Sequence, residues 1–178
     1  MKDKKIAIDS GIILDSNKVK QDWLYSKLGV KFELWQLNKT ELEPIIGEKA
    51  YEAMRLTIFT ETNILAHPIT EGVDDFFDKF RDNKMYMLTV KTPNYIPYLM
   101  SWLEKHKASF PKKPHILTAH NTTKAEICRI YGIDIIIDDD IRHLREIPDS
   151  IERIFFKPEL DDVGFSKHTR KLNSFRYY

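Results

Sequence analysis

Asp134-Ile135-Ile136-Ile137-Asp138-Asp139-Asp140 is the stretch whose reading decides the fold. A short, unbroken run of β-branched residues between carboxylates reads as a strand buried on both faces, which stops where the acids begin. Directly upstream, Thr123-Lys124-Ala125-Glu126 matches a capping box, opening a helix that runs through Tyr131 and is stopped by Gly132. The same alternation continues outward. Lys5-Ile6-Ala7-Ile8-Asp9 is a first buried strand that ends in a carboxylate and the polar pair Ser10-Gly11. Met85-Tyr86-Met87-Leu88-Thr89-Val90 is a second strand, and His115-Ile116-Leu117-Thr118 a third. Between them a helix runs from Pro93 to about Lys107, with Pro97 tolerable only near its first turn. Arg153-Ile154-Phe155-Phe156 reads as a last strand. Strands and helices in alternation, with continuous apolar strands, predict an α/β fold built on a parallel sheet covered on both faces. Ligands of such sheets gather at the carboxyl ends of the strands.

Residues 17–66 break the pattern. Trp23, Leu24 and Leu28 sit at helical spacing before Gly29, and Ala50, Met54 and Ile58 recur four apart in a helix over 48–59. No strand alternation occurs there. Ile69, Val73, Phe76, Phe77 and Phe80 then mark one buried helix face, with Thr70 as candidate N-cap. The expected organisation is an α/β core over 1–16 and 67–158, a helical insertion over 17–66, and a tail over 159–178. That tail mixes Lys167, Arg170, Lys171 and Arg176 with Phe165, Phe175, Tyr177 and Tyr178. It reads first as packed on the domain or frayed, and only second as a nucleic-acid binder.

The chain has 178 residues, 42% of them hydrophobic and 12% aromatic, which suffices for one full core. Its 28 basic and 27 acidic residues give a net charge of +1, a balance that favours neither nucleic acid nor an acidic partner. No apolar run approaches the ~18 residues of a membrane helix. The charged start Met1-Lys2-Asp3-Lys4-Lys5 does not read as a signal peptide, so cytoplasm is the expected compartment. Cys128 is the only cysteine, which removes an intrachain disulfide and a thiolate zinc site, and reads as a small apolar helix residue.

Polar groups gather at the predicted strand ends. Asp9 closes the first strand, Thr89 the second, and Asp138-Asp139-Asp140 the fourth, while Lys124 opens the helix before it. Each has a dull explanation alone, since a lone acid at a strand end is structural more often than functional. Together they suit phosphoryl transfer. A carboxylate can attack phosphorus and form an aspartyl-phosphate, a hydroxyl and an ammonium can bind phosphoryl oxygens, and neighbouring carboxylates call for a hard cation such as Mg²⁺. Exposure to water would satisfy the acids equally well.

In this order the pieces resemble the haloacid dehalogenase (HAD) superfamily. Ile6-Ala7-Ile8-Asp9-Ser10-Gly11 is similar to its first motif, Leu88-Thr89-Val90-Lys91 to its second, Lys124 with its helix to its third, and Ile136-Ile137-Asp138-Asp139 to its fourth. The stretch from Lys124 to Asp139 looks most like the 5′(3′)-deoxyribonucleotidase-type branch. The resemblance implies a Rossmann-like core with a small helical cap inserted after the first strand. It further implies a Mg²⁺-dependent phosphomonoesterase acting on a phosphorylated small molecule, with a nucleoside monophosphate as the leading substrate. Asp9 would be the nucleophile, Thr89 and Lys124 the phosphate clamp, and Asp9, the Gly11 carbonyl, Asp138 and Asp139 the metal site. Trp23, Tyr25 and Trp35 read first as core residues and second as platforms for a base.

One position departs from the pattern. Phosphatases of the family usually carry an acid two residues after the nucleophile, and here that residue is Gly11. General acid catalysis is typically worth ~10²–10⁴-fold, so the resemblance also admits a catalytically degenerate protein that binds a ligand or partner without turnover. Asp15 lies beyond Ile12-Ile13-Leu14 and is no obvious substitute. A response-regulator receiver domain uses the same residue types, but with the acidic pair first and the single Asp later, the reverse of the order here.

Overall fold

The computed structural model describes residues 3–156 and 169–172. At its centre lies β1 (Lys5–Asp9), paired in parallel with β2 (Lys84–Thr89) on one side and β4 (Ile135–Asp138) on the other. The sheet extends to β3 (His115–Thr118) beside β2, and to β5 (Glu152–Phe156) and β6 (Thr169–Leu172) beyond β4. The order β3-β2-β1-β4-β5-β6 is parallel throughout. The chain builds one half outward from β1 and then returns to build the other, so β1 and β4 flank a topological switch point.

Alternate strand residues face opposite layers. Ile6, Ile8, Met87, Ile135 and Ile137 face one apolar layer with Phe76, Phe77 and Trp102, whereas Ala7, Tyr86, Leu88, Ile136 and Phe155 face the other with Cys128 and Leu144. This explains the unbroken isoleucine run: with both faces covered, there is no solvent side to be polar. Full burial of each such isoleucine is worth about 1.5–3 kcal/mol. The helices responsible are α6 (Val73–Lys79) and α7 (Ile96–Lys105) on the first layer, and α8 (Lys124–Tyr131) and α9 (Ile141–Glu146) on the second. Thr123 caps α8 by accepting from Glu126 N at 3.1 Å. Gly132 ends it at φ 63°, a left-handed conformation that glycine adopts without strain.

Between β1 and β2 the chain forms a helical turn, α1 (Ser10–Ile13), and then α2 (Ser16–Leu28), α3 (Lys39–Ile46), α4 (Glu48–Ile58) and α5 (Glu61–Ala66). Leu24, Phe32, Leu37, Leu42, Met54 and Ile58 form a separate apolar cluster inside this helical segment. Its two connections to the sheet run side by side. Leu14 bridges Ile69, Asp15 N donates to Pro68 O at 2.9 Å, and Thr70 N donates to Ile13 O at 3.1 Å.

Several expectations need correcting. Thr70 does not cap α6: that role falls to Gly72, and the Thr70 hydroxyl donates instead to Ile12 O, which ties down the connection. The polar pair Ser10-Gly11 opens a helical turn, with Asp9 as its N-cap. Residues 93–107 are a 3-10 turn over Pro93–Tyr95 followed by α7, with Pro97 in the first turn of the helix. Within the expected tail, residues 169–172 add a sixth strand at the sheet edge. The rest of the tail lies outside the described residues.

Candidate active site

The register of the sheet assembles the strand-end groups. Ile8 is level with Ile137, so Asp9 and Asp138 leave adjacent strands together; Asp9 pairs with Leu88, so Thr89 stands one residue further out on the other neighbour. Lys124 enters from the start of α8. Its ammonium, with only 2% of the residue exposed, donates to Asp9 Oδ1 and, at 2.6 Å, to Asp138 Oδ2. Burial works against that charge, but Asp138 and Asp9 outweigh it and raise the Lys124 pKa. Burial likewise opposes the Asp138 carboxylate, and Lys124 followed by His143 more than offsets it, so its pKa falls. His143 Nδ1 lies 3.4 Å from Asp138 Oδ2, and Asp138 Oδ1 accepts from Asp140 N at 2.9 Å.

Asp139 is the opposite case. Burial, Asp9 and Asp138 push its carboxyl up to about 7, because three acids meet at the ends of the adjacent strands β1 and β4. Among the described residues, no group of three His, Cys, Asp or Glu side chains is set to hold a metal. That agrees with the partners above: Asp138, fully buried, is turned to Lys124, and Asp9 shares the same ammonium, so Asp9 and Asp139 remain at the cleft side of the cluster. One or two carboxylates, with substrate oxygens and water, are the usual ligands of Mg²⁺. The donor set Asp9, Asp139 and the Gly11 carbonyl therefore fits Mg²⁺ by its chemistry, and the excess negative charge around Asp139 calls for a cation.

Asp9 Oδ2 accepts from Gly11 N at 2.5 Å, and Gly11 O accepts from the buried Ser16 hydroxyl at 3.2 Å. A Cβ on Gly11 would stand 2.9 Å from Asp9 Oδ2 and force the carboxylate aside. A small displacement of a reacting group is expensive. Gly11→Ala is therefore expected to lower any turnover about 10-fold or more while leaving folding stability within ~1 kcal/mol, since Gly11 does not need a left-handed backbone. Steady-state kinetics beside urea unfolding checks this. Asp15 is occupied as the N-cap of α2, accepting from Lys18 N at 2.9 Å.

Thr89 is 1% exposed, its Oγ1 accepts from Lys91 N at 3.2 Å, and among the described residues no acceptor takes its proton. Asp9, Gly11, Thr89, Asp138 and Asp139 all line one cleft of ≈ 740 Å³, whose opposite wall is the helical segment. Lys124 lies beneath it. Sequence reading missed the far wall: Lys20, Tyr51, Arg55 and Phe59 line it, with Lys91 and Tyr95 beside them. Lys91 carried a signal, standing two residues beyond Thr89 at a strand end. The others sit on helices whose packing no periodicity disclosed. Trp23 and Tyr25 are not among the lining residues, and Tyr25 is 63% exposed, so it is not a core residue either. The Trp35 side chain lies outside the described residues.

No family model and no curated protein matches this chain. Solved structures do. A haloacid dehalogenase-like protein from Agrobacterium tumefaciens superposes with a TM-score of 0.61 over 98% of this chain and 95% of its own, at 12% identity. The fold is that of the HAD-like hydrolases. The HAD-hydrolase YfnB from Bacillus subtilis, bound to magnesium, has this HAD-like fold at a TM-score of 0.59 and 10% identity, covering 99% of this chain and 97% of that one. A HAD family hydrolase from Deinococcus radiodurans, with bound phosphate and sodium, follows at 0.58 and 9%, covering 98% and 93%. Dehalogenases share the HAD-like fold too. At such identities the likeness establishes the fold alone. Among the described residues, no helix is long and apolar enough to cross a membrane.

Proposed function

We propose that the cleft belongs to a Mg²⁺-dependent phosphomonoesterase that works through an aspartyl-phosphate on Asp9. The observation that carries this reading is the buried Lys124 ammonium between Asp9 and Asp138, at the mouth of adjacent strands and below an otherwise open cleft. Bound Mg²⁺, held by Asp9, Asp139 and the Gly11 carbonyl, would neutralise charge between the carboxylate and a phosphoryl dianion. In this reading Lys124 holds Asp9 in position from beneath the cleft, and the Thr89 hydroxyl supplies a donor to a phosphoryl oxygen. Asp9 Oδ attacks phosphorus, the P–O bond breaks while the leaving alkoxide takes a proton from water, and a second water then hydrolyses the acyl phosphate to return Asp9 and inorganic phosphate. A nucleoside monophosphate is the first substrate to try.

Gly11 favours a second reading, a protein that binds at this cleft without turnover. Gly11 stands where the resembled family's phosphatases usually carry the acid that protonates the leaving alkoxide, and the 2.9 Å approach of a Cβ to Asp9 leaves little room for one. A Mg²⁺-supported screen across nucleoside monophosphates, sugar phosphates and 2-haloacids separates the readings. Hydrolysis of a phosphomonoester that EDTA silences and Mg²⁺ restores is the expected result. Turnover that persists in EDTA would overturn the metal assignment, and halide release would place the chain with the dehalogenases that share its fold. A folded parent protein inert to all of them that still binds a phosphomonoester in Mg²⁺ would establish the second reading.

A further inference from the structure

Five cationic side chains line the cleft: Lys20, Lys39, Arg55, Lys91 and Arg142. Four have acceptors in hand. Lys20 donates to Asn17 Oδ1 and Leu37 O, Lys39 pairs with Glu43, Arg55 with Glu52, and Arg142 with Asp140. Lys91 differs. Among the described residues its ammonium has no oxygen within hydrogen-bonding distance; it rests 3.7 Å from the centre of the Phe59 ring. The ring covers one side of the ammonium and leaves its other donors to the cleft. A cation–π contact supplies about 0.5–1 kcal/mol at an exposed site and accepts no hydrogen bond in the ordinary sense.

The placement is built rather than loose. Lys91 N donates to Thr89 Oγ1, and Lys91 O accepts from Thr118 Oγ1 at 2.8 Å, so the backbone is held between β2 and β3. Phe59 in turn packs edge-on against Tyr95 at 5.8 Å. Arg55 lies one helical turn before Phe59, on the same face of α4. Burial, followed by the nearby charges of Arg55 and Lys20, lowers the Lys91 pKa to about 8, and Asp9 and Glu52 only partly counter this. A cation so placed is short of negative charge.

We propose that Lys91 forms a second anion subsite in the cleft, to which the nearby Glu52-paired Arg55 adds only its field, so that the substrate is a phosphomonoester bearing another anionic group, a carboxylate or a second phosphate. This rests on the phosphomonoesterase reading for the phosphate at Asp9. It narrows the substrate class by requiring that the non-reacting end carry charge. A cation without an oxygen partner, seated on an apolar ring, favours a compact anion over a neutral sugar or alcohol.

The test is calorimetric binding in Mg²⁺ with matched pairs: 3-phosphoglycerate against glycerol 3-phosphate, and fructose 1,6-bisphosphate against fructose 6-phosphate. The doubly anionic member of at least one pair is expected to bind 10-fold or more tightly than its partner, and the pair that discriminates identifies the anion as carboxylate or phosphate. Lys91→Met, which keeps the alkyl chain on Phe59, should reduce that ratio to within about 2-fold; Arg55→Gln, at a half-exposed site, should reduce it in part and guards against misfolding of the first variant. Because binding needs the Lys91 ammonium, facing Arg55 and Glu52 from α4, Lys20 from α2 and Asp9 from β1, the ratio should fall as pH rises through 8. Equal binding within both pairs, no binding at all, or a ratio that survives both variants would overturn the subsite. Failure of the enzymatic reading looks different: the ratio persists while none of the four compounds is hydrolysed.

Discussion

Asp9→Asn should abolish phosphomonoester hydrolysis, lowering kcat by about 10⁴-fold or more, the scale on which removing a nucleophile is felt. Asparagine is nearly isosteric but uncharged, so it can neither attack phosphorus efficiently nor help hold a dication. The substitution also has a local structural effect. Asp9 accepts two donors, Lys124 on Oδ1 and Gly11 N on Oδ2. An asparagine has one acceptor oxygen and must turn its NH₂ toward one of those donors. A stability loss of about 1–3 kcal/mol is expected from that mismatch, small enough for the variant to fold. Circular dichroism and urea unfolding should be run on the same preparation as the kinetics. Retained turnover in a folded Asp9→Asn protein would remove Asp9 as nucleophile.

Lys124→Met is expected to have the largest effect on stability. Its side chain is 1% exposed and lies between Asp9 and Asp138, the latter equally buried. Removing the cation leaves two carboxylates facing each other with no compensating charge. Breaking a buried pair from one side typically costs about 3–5 kcal/mol. In metal-free buffer the urea midpoint should fall accordingly with an unchanged m-value. Adding Asp138→Asn should recover much of the loss, because the second substitution removes the stranded charge. A Lys124→Met protein with wild-type stability would mean that the site is wet and the pair contributes little.

The sheet and the strand-end groups were legible because their signals are local. Ile135-Ile136-Ile137 can be buried on both faces only in a parallel layer, and Thr123 with Gly132 brackets a helix through its own backbone hydrogen bonds. Thr70 misled because a threonine before an apolar helix face satisfies the capping rule, yet its hydroxyl found Ile12 O, 58 residues away in the chain. The sixth strand was missed for a related reason: an edge strand needs only one neighbour and carries little apolar pattern.

The far wall of the cleft was not legible at all. Phe59 meets Lys91 only because the helical segment folds back over the carboxyl ends of the strands, and that approach depends on packing among Leu24, Leu37, Leu42 and Met54 rather than on spacing. The sequence alone determined a parallel α/β sheet with Asp9, Thr89, Asp138 and Asp139 at its strand ends, since strand burial and capping are written in neighbouring residues. The tertiary structure decided how those groups divide their work. Asp138 turns to Lys124, Asp139 is left as an acid with excess negative charge about it, and Lys91 is left as a cation seeking an anion. Charge compensation depends on which groups come within a few ångströms of each other, and register and packing, not residue order, set those distances.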